Sequence, residues 1–281
     1  NSYYAFQGRY ANVQRRQMGP RQFNQIVGYK RLDELSEKLD QFSSRVLKDD
    51  CLDLPDKVYV RRDVPLTAEQ TRMYAQMQKL ALAQFDNGEL STTASVLTQI
   101  MRLQQICCGF LAPDDGDIQP IDSYRLPELL SVIDELQGKV IIWASYTYDI
   151  QQIAEALRDR FGPESVATYY GATAQDERQE IIEKFQDPDN ALSFFVGQPR
   201  TGGFGITLTA ANTVIYYSNN YDLEIRLQSE DRAHRIGQTN KVTYIDLVTR
   251  GTIDEKILKA LRNKINLASQ ALGEQARDWL L

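Results

Sequence analysis

The chain has 281 residues, of which 42% are hydrophobic and 25% are charged, and its formal net charge is −6 at pH 7. These values predict a globular protein with one large or two moderate domains, because a chain of this length can bury a substantial core. The acidic balance argues against a protein coated in basic surface. With no apolar run of about eighteen residues and no signal sequence at the start, a membrane span is unsupported and an intracellular address is expected.

The first 32 residues depart from the acidic balance. They contain six basic residues and no acidic residue, and aromatic residues are interleaved with the bases. This mixture suits contacts to nucleic-acid phosphates and stacking on bases. The plainer alternative is slightly favoured: the sequence is expected to begin within a domain, and the aromatic residues would then belong to the core of that domain. Nucleic-acid contact remains a hypothesis, with Arg9, Arg15, Arg16 and Arg21 as its test residues.

Three helices and one strand are predicted in the next part of the chain. Apolar residues at helical spacing predict a helix in "LDELSEKLDQFSSRVLK", and "VYVRRDVPL" predicts a short strand that ends at Pro65. Thr67 and Gln70 have the spacing of a capping box and open a helix that runs to "DNGE". A helix over "STTASVLTQIMRLQQICCGFL" should pack against it as a hairpin. The three cysteines lack zinc-site spacing and are expected to be reduced, buried thiols.

The acidic stretch "APDDGDIQP" predicts a domain boundary, since its proline, glycine and aspartate residues break regular structure. From Leu126 onward, short apolar strands alternate with helices, and a long amphipathic helix begins near Ile253. The alternation is typical of an α/β fold in which helices cover both faces of a parallel sheet, giving three layers. Ligands collect at the carboxyl ends of such strands, so the loops "ASYT", "YYGAT" and "GQPRTGGFGIT" are expected to share one edge.

A glycine-rich segment, "TGGFGITLTAA", is the first candidate for phosphate chemistry. Its glycines, Gly202, Gly203 and Gly205, permit a tight backbone turn that can approach a phosphate. The pattern lacks the third glycine of a dinucleotide-binding fingerprint, where Leu208 stands. A dinucleotide-binding enzyme that holds nicotinamide or flavin at this turn is nevertheless one alternative.

The segment "SEDRAHRIGQ" is the second candidate. Gln228, Arg232 and Arg235 are spaced to lie on one face of a helix. Guanidinium groups are preferred partners of phosphate oxygens, and an arginine from a second domain can stabilise a transferring phosphoryl group. The alternative is a solvated helix face whose arginines are balanced by Glu230 and Asp231.

An ordered series of motifs, from about residue 63 to about residue 260, resembles the Swi/Snf (Snf-two-like) family of superfamily-two helicase-related ATPases. "QSEDRAHRIGQTNKVTYIDLVTRGTIDEKI" resembles motif VI and its downstream sequence, and "RTGGFGITLTAANTVIYYS" resembles motif V. "KVIIWASYTYDIQQIAEAL" resembles motif IV. "YYGATAQDERQEIIEKFQDP", "LTAEQTRMYAQM" and "MRLQQICCGF" resemble further segments of the family. Single motifs often mislead, whereas an ordered series is specific.

The resemblance implies a RecA-like second lobe, of the P-loop NTPase type, with an added helical insertion. Residues 1–62 would be the end of the first lobe and a linker, 63–122 the helical hairpin, and 123–281 the helicase C-terminal lobe with its C-terminal helix. The sequence contains neither a G-x-x-x-x-G-K-[ST] phosphate loop nor an acidic Mg²⁺-binding box. We therefore expect ATP and Mg²⁺ to be held mainly by the N-terminal RecA-like lobe of the same protein, and this chain to be inactive alone.

The resemblance also implies roles for individual residues. Arg235 would be the arginine finger on the γ-phosphate with Arg232 beside it, and Gln228, Gly203 and Gly205 would line the nucleotide side. Contacts to the backbone of double-stranded DNA would come from Ser145, Tyr146, Gly171, Thr173, Arg200, Thr201, Gly202 and Thr207.

The resemblance implies that the chain is the C-terminal half of an ATP-dependent DNA translocase. The chain itself would supply no metal ligand and would not contact a membrane. The compact insertion favours a bacterial or viral source and a cytoplasmic or nucleoid-associated location, and a eukaryotic source would make the location nuclear. A non-catalytic nucleic-acid-binding or adaptor module is the main alternative, and only the family's first lobe would distinguish the two.

Overall fold

The secondary structure is taken from a computed structural model, which describes residues 2–18, 21–44, 52–86, 93–113, 116–202, 205–220 and 222–272. The helices are α1 (Tyr3–Tyr10), α2 (Leu32–Asp40), α3 (Ala68–Asp86), α4 (Thr93–Cys108), α5 (Arg125–Asp134), α6 (Thr147–Phe161), α7 (Gln175–Gln186), α8 (Pro199–Gly202), α9 (Leu223–Glu230) and α10 (Ile253–Leu272). The strands are β1 (Ala11–Met18), β2 (Arg21–Tyr29), β3 (Lys57–Asp63), β4 (Phe110–Leu111), β5 (Gln119–Pro120), β6 (Lys139–Trp143), β7 (Val166–Tyr169), β8 (Phe194–Gly197), β9 (Ala211–Tyr216) and β10 (Val242–Val248). Of the helices in these ranges, none has the length and apolar content needed to cross a membrane.

Six strands form one sheet in the order β3-β10-β9-β6-β8-β7, and every pairing within it is parallel. Apolar side chains of α5 and α6 pack on one face, and those of α7 pack on the other. The inner strands read as continuous apolar runs because both of their faces are buried. The predicted three-layer α/β sheet is confirmed.

The edge strand β3 comes from a segment that the sequence prediction assigned largely to a different domain. Residues 57–63 pair in parallel along the whole of β10. The predicted division at residue 62 therefore falls inside a strand of the main sheet. Local pattern predicted the strand correctly, but long-range hydrogen bonding to β10 decides which domain it joins.

The predicted helical hairpin is formed by α3 and α4, which pack against each other. The capping box is present, because the Thr67 backbone N–H donates to Gln70 Oε1 at 3.0 Å and the Gln70 N–H donates to Thr67 Oγ1 at 3.1 Å. Gln70 Nε2 also donates to the carbonyl oxygen of Ile106 at 2.6 Å, which ties the two helices together. Met101 of α4, by contrast, is 49% exposed.

The cysteine prediction holds for the two neighbouring residues at the end of α4. Cys107 and Cys108 are buried, free thiols, and burial raises the pKa of Cys107 to about 12. Cys51 lies outside the described residues.

A buried ion pair joins helices α5 and α10. Arg125 is fully buried, and its guanidinium pairs with the carboxylate of Asp254. It also donates to the carbonyl oxygen of Tyr217 at 2.6 Å and to Thr249 Oγ1 at 3.2 Å. One guanidinium thus holds α5, the end of β9 and α10 in a fixed arrangement.

Candidate functional site

The arginines predicted to share one helix face lie instead in a turn. Helix α9 ends at Glu230, so Gln228 is helical while Arg232 and Arg235 fall in consecutive turns beyond the helix. We call residues 231–238 the arginine turn. The spacing prediction was wrong here because tertiary contacts, rather than helical periodicity, fix these residues.

A buried charge network anchors α9 ahead of the arginine turn. Arg226 Nε donates to Glu230 Oε1 at 2.8 Å, and its two terminal nitrogens donate to the carboxylate of Asp246 at 2.5 and 3.1 Å. The guanidinium carbon lies 3.4 Å from the centroid of the Tyr216 ring. Glu230 in turn accepts from the Tyr59 hydroxyl at 2.9 Å. Side chains of β3, β9 and β10 therefore hold the end of the helix.

The far end of the arginine turn is held by polar contacts to the main chain. Gln238 Nε2 donates to the carbonyl oxygens of Thr209 at 3.1 Å and Ala211 at 2.9 Å. The ring Nε2 of His234 lies 2.8 Å from the carbonyl oxygen of Pro55. Since Ala211 begins β9 and Pro55 precedes β3, the turn lies at the edge where the strands of the sheet begin.

Arg232 is buried, and its guanidinium forms hydrogen bonds within its own domain. It is 9% exposed, its Nε donates to the carbonyl oxygen of Gln228 at 2.8 Å, and its Nη1 donates to that of Ile206 at 3.2 Å. Burial, followed by the positive charge of Arg235, lowers the pKa of the Arg232 guanidinium. The two guanidinium groups therefore repel each other, and Asp231 compensates only in part.

Arg235 lies at the exposed tip of the arginine turn. Its side chain is exposed, and so are the next two residues, Ile236 and Gly237. Ile236 is 68% exposed. Within the described part of the chain, the Arg235 guanidinium has no hydrogen-bond or ion-pair partner. Gly237 has a φ of 99°, a left-handed conformation that favours glycine and shapes the tip.

The loops after β6, β7 and β8 meet at the opposite edge of the sheet, which we call the carboxyl edge. Gln198 joins the three loops, since its Nε2 donates to the carbonyl oxygen of Ser145 at 3.2 Å and its backbone N–H donates to that of Tyr169 at 3.1 Å. The structure therefore brings together seven residues of the predicted DNA-binding set: Ser145, Tyr146, Gly171, Thr173, Arg200, Thr201 and Gly202.

Several of these polar side chains are already occupied within the fold. The Ser145 hydroxyl donates to the carbonyl oxygen of Ser218 at 3.3 Å, and the Thr173 hydroxyl donates to that of Thr168 at 3.2 Å. Arg200 is exposed, as is Gly171. The carboxyl edge thus presents the exposed guanidinium of Arg200 among small residues that allow close approach.

Thr207 does not lie with this set. It stands between Ile206, whose carbonyl oxygen accepts from Arg232, and Leu208, whose N–H donates to the carbonyl oxygen of Arg232 at 2.9 Å. A parallel connection must return from the end of β8 to the start of β9, and this return carries Thr207 to the arginine turn. Gly205, with a φ of 74°, begins the same segment, whereas Gly203 lies outside the described residues.

Gln104 of α4 is a contact that sequence reasoning missed. It is 5% exposed, its Oε1 accepts from the Tyr146 hydroxyl at 2.8 Å, and its Nε2 donates to the carbonyl oxygen of Asn219 at 2.5 Å. It therefore ties the helical hairpin to two loops of the carboxyl edge. Nothing in "LQQIC" distinguishes this glutamine from an ordinary helical residue.

Two family profiles match the chain: the "SNF2-related domain" over residues 14–110 and the "Helicase conserved C-terminal domain" over residues 125–237. The protein YwqA of Bacillus subtilis is 31% identical over 264 residues, which cover 89% of this chain and 28% of that protein. Transcription regulatory protein SNF2 of Saccharomyces cerevisiae is 30% identical over 258 residues, which cover 85% of this chain and 15% of that protein. The chain thus spans less than a third of either relative.

Two solved structures resemble the chain. The Sulfolobus solfataricus SWI2/SNF2 ATPase core in complex with dsDNA matches with a TM-score of 0.59 at 27% identity, covering 89% of this chain and 54% of that one. The C-terminal part of the Fun30 ATPase domain matches in fold, with a TM-score of 0.60 at 19% identity over 79% of this chain and 98% of that one. With two family profiles, these relatives and a RecA-like parallel sheet in agreement, the chain belongs to the Swi/Snf family of superfamily-two, helicase-related ATPases.

Proposed function

We propose that this chain is the C-terminal half of an ATP-dependent double-stranded-DNA translocase, in which Arg235 acts as the arginine finger. The observation that carries the proposal is the exposed guanidinium of Arg235, which has no partner among the described residues and lies at the tip of a turn anchored at both ends. A group that contacts a ligand held by another domain must be rigidly placed yet free of partners in its own domain.

Electrostatics supports a phosphate as the partner of this tip. Arg232 and Arg235 lie close enough for each charge to disfavour the other, and an anion between them would relieve that repulsion. Negative charge that builds up on a transferring phosphoryl group is stabilised by such a guanidinium. Arg232 has two of its donors committed to main-chain carbonyls, so we assign it the lesser role of shaping the turn and strengthening its positive potential.

The nucleotide and its Mg²⁺ would be held mainly by the N-terminal RecA-like lobe of the same protein, because this sequence contains no phosphate loop and no acidic box. Gln228 would organise the nucleotide-facing side through its carbonyl contact with Arg232. Gly205 would let the neighbouring backbone turn close to the phosphates, since its φ of 74° disfavours any side chain. Mg²⁺ would neutralise charge on the triphosphate, and the chain described here would add Arg235.

Duplex DNA would lie along the carboxyl edge. The seven residues gathered there have small or hydroxyl-bearing side chains together with Arg200, a composition that suits contacts to phosphate and sugar. We therefore expect weak sequence preference. Thr207 is left out of this proposal because it lies beside Arg232 instead.

Hydrogen bonds connect the two edges and would couple DNA to ATP. Gln104 links Tyr146 to Asn219, and the side chain of Asn219 accepts from Arg226 Nη1 at 2.7 Å. Arg226 then holds Glu230, the residue that precedes the arginine turn. A continuous polar chain thus runs from the carboxyl edge to the base of the arginine turn.

The proposal is tested by ATP turnover of the complete gene product with and without duplex DNA. Turnover is expected to rise at least about tenfold on adding duplex, and the 281-residue chain alone should give none. DNA binding without turnover in the complete gene product would instead support a non-catalytic adaptor, and NAD binding would support a dinucleotide enzyme.

Replacing Gln104 with leucine tests the coupling between the edges. The variant loses two hydrogen bonds, each worth about 1 kcal/mol, so the DNA concentration for half-maximal stimulation should rise about fivefold or more. ATP turnover without DNA should be unchanged. Gln179→Leu, on the exposed side of α7, serves as the matched control and should behave like the unmodified protein. A fall in DNA-free turnover equal to the fall in stimulation would indicate a purely structural role.

A further inference from the structure

The hairpin of β1 and β2 is a sheet of its own, separate from the six-stranded sheet. Its antiparallel register runs from Ala11 opposite Tyr29 to Met18 opposite Arg21. The ladder continues one step beyond the strands, because the Lys30 N–H donates to the carbonyl oxygen of Tyr10, the last residue of α1, at 2.9 Å. The hairpin contributes to neither the arginine turn nor the carboxyl edge, so the proposed function leaves it without a role.

The hairpin sequence contains three arginines and no acidic residue in an otherwise acidic chain. No Asp or Glu occurs before Asp33, while the chain as a whole has a net charge of −6. Arg9 of α1 is neutralised, because its Nη2 lies 2.6 Å from Glu34 Oε1. Arg15, in the middle of β1, is exposed and has no ion pair with any residue that the structure describes. The charge of the hairpin sequence therefore favours an anionic partner.

One face of the hairpin combines this arginine with amide side chains. Arg15 pairs with Asn24, and Gln17 pairs with Gln22, so the alternation of strand side chains places all four on the same face. All four are exposed. Val13 and Ile26, 37% and 38% exposed, continue this face toward the base of the hairpin.

This face suits duplex DNA better than a protein. Guanidinium and amide groups are the side chains that bond to phosphates and to base edges, and a two-stranded ribbon fits the major groove, which is about 12 Å wide. A protein-binding face of this size would be expected to have an apolar centre, whereas here the apolar pair lies at one end.

We infer that the β1–β2 hairpin is a second DNA-contacting element, which places its Arg15, Gln17, Gln22 and Asn24 face against the duplex. The inference rests on the proposed function in that the duplex is the one engaged by the carboxyl edge. It adds a contact on the N-terminal side of the chain, far in sequence from the motif residues.

The test compares Arg15→Glu with Arg158→Glu, an equal charge change at an exposed position of α6. Duplex affinity of the complete gene product is measured by fluorescence anisotropy over a series of salt concentrations. Arg15→Glu should weaken binding about tenfold at 0.1 M salt and should lower the slope of log affinity against log salt concentration by about one. Asn24→Asp, which offers Arg15 a cross-strand ion pair, should weaken binding about threefold. Arg158→Glu should change neither quantity measurably.

Equal duplex affinity for Arg15→Glu and Arg158→Glu would overturn the inference. It would also be overturned if Arg15→Glu lost binding to a protein partner while its duplex affinity was unchanged. ATP turnover at saturating DNA separates this test from that of the proposed function. The hairpin variants should keep normal maximal turnover, because they touch neither edge of the sheet. Absence of DNA-stimulated turnover in the unmodified protein would count against the proposed function alone, while the hairpin would still be judged by duplex affinity.

Discussion

Replacing Arg235 with alanine is expected to abolish ATP turnover by the complete gene product while leaving its melting temperature unchanged. An arginine finger contributes about 10³ to 10⁵ in kcat, or roughly 4 to 7 kcal/mol of barrier. Because Arg235 is exposed and unpaired within the described residues, its removal costs the fold almost nothing. Duplex affinity should also be retained, since the carboxyl edge lies at the other end of the strands.

Two further variants sharpen this result. Arg235→Lys should not restore turnover, because a lysine ammonium lacks the planar fork of a guanidinium. Arg232→Ala should lower both turnover and melting temperature, since it frees the carbonyl oxygens of Gln228 and Ile206 from their partner. Near-normal DNA-stimulated turnover in Arg235→Ala would remove Arg235 from the proposed mechanism.

Replacing Asp254 with alanine is expected to give the largest loss of folding stability. The change leaves the fully buried guanidinium of Arg125 without its carboxylate. Breaking a buried pair in this way costs about 3 to 5 kcal/mol in the free energy of unfolding. Urea denaturation of the variant, followed by circular dichroism, measures the loss.

The adjacent residue supplies a matched control. Glu255 pairs with Arg61 where both side chains are partly exposed, at 44% and 30%, so Glu255→Ala should cost less than about 1 kcal/mol. The double change Arg125→Met with Asp254→Leu should recover much of the lost stability, because it removes both charges from the interior. Equal losses for Asp254→Ala and Glu255→Ala would show that the buried pair does not hold the helices together.

The layers of the fold could be predicted from sequence because they depend on local signals. The apolar runs of β6 and β8 need no partner to be recognised as buried strands, and the capping box at Thr67 is visible in the spacing alone. The shared carboxyl edge followed from the geometry of parallel strands. These features are repeated or local, so one sequence is enough to find them.

The features that were missed depend on contacts between distant residues. The helix before the arginine turn ends at Glu230, whose side chain accepts from Tyr59 on the edge strand, 171 positions away in sequence. Thr207 was placed with the wrong edge because the return path between β8 and β9 has no periodic pattern. The β1–β2 hairpin was missed because its strands are mostly polar on the exposed face and lack the apolar alternation that predicts a strand.

In the proposed mechanism, Arg235 reaches a phosphate held outside this chain. Its most direct test is a structure of the complete gene product bound to duplex DNA and ADP–aluminium fluoride, which mimics the transferring phosphoryl group. We expect the Arg235 guanidinium within hydrogen-bond distance of the fluoride ligands, about 3 Å, with DNA along the carboxyl edge. An Arg235 side chain that points into solvent while the nucleotide is fully bound would contradict the account.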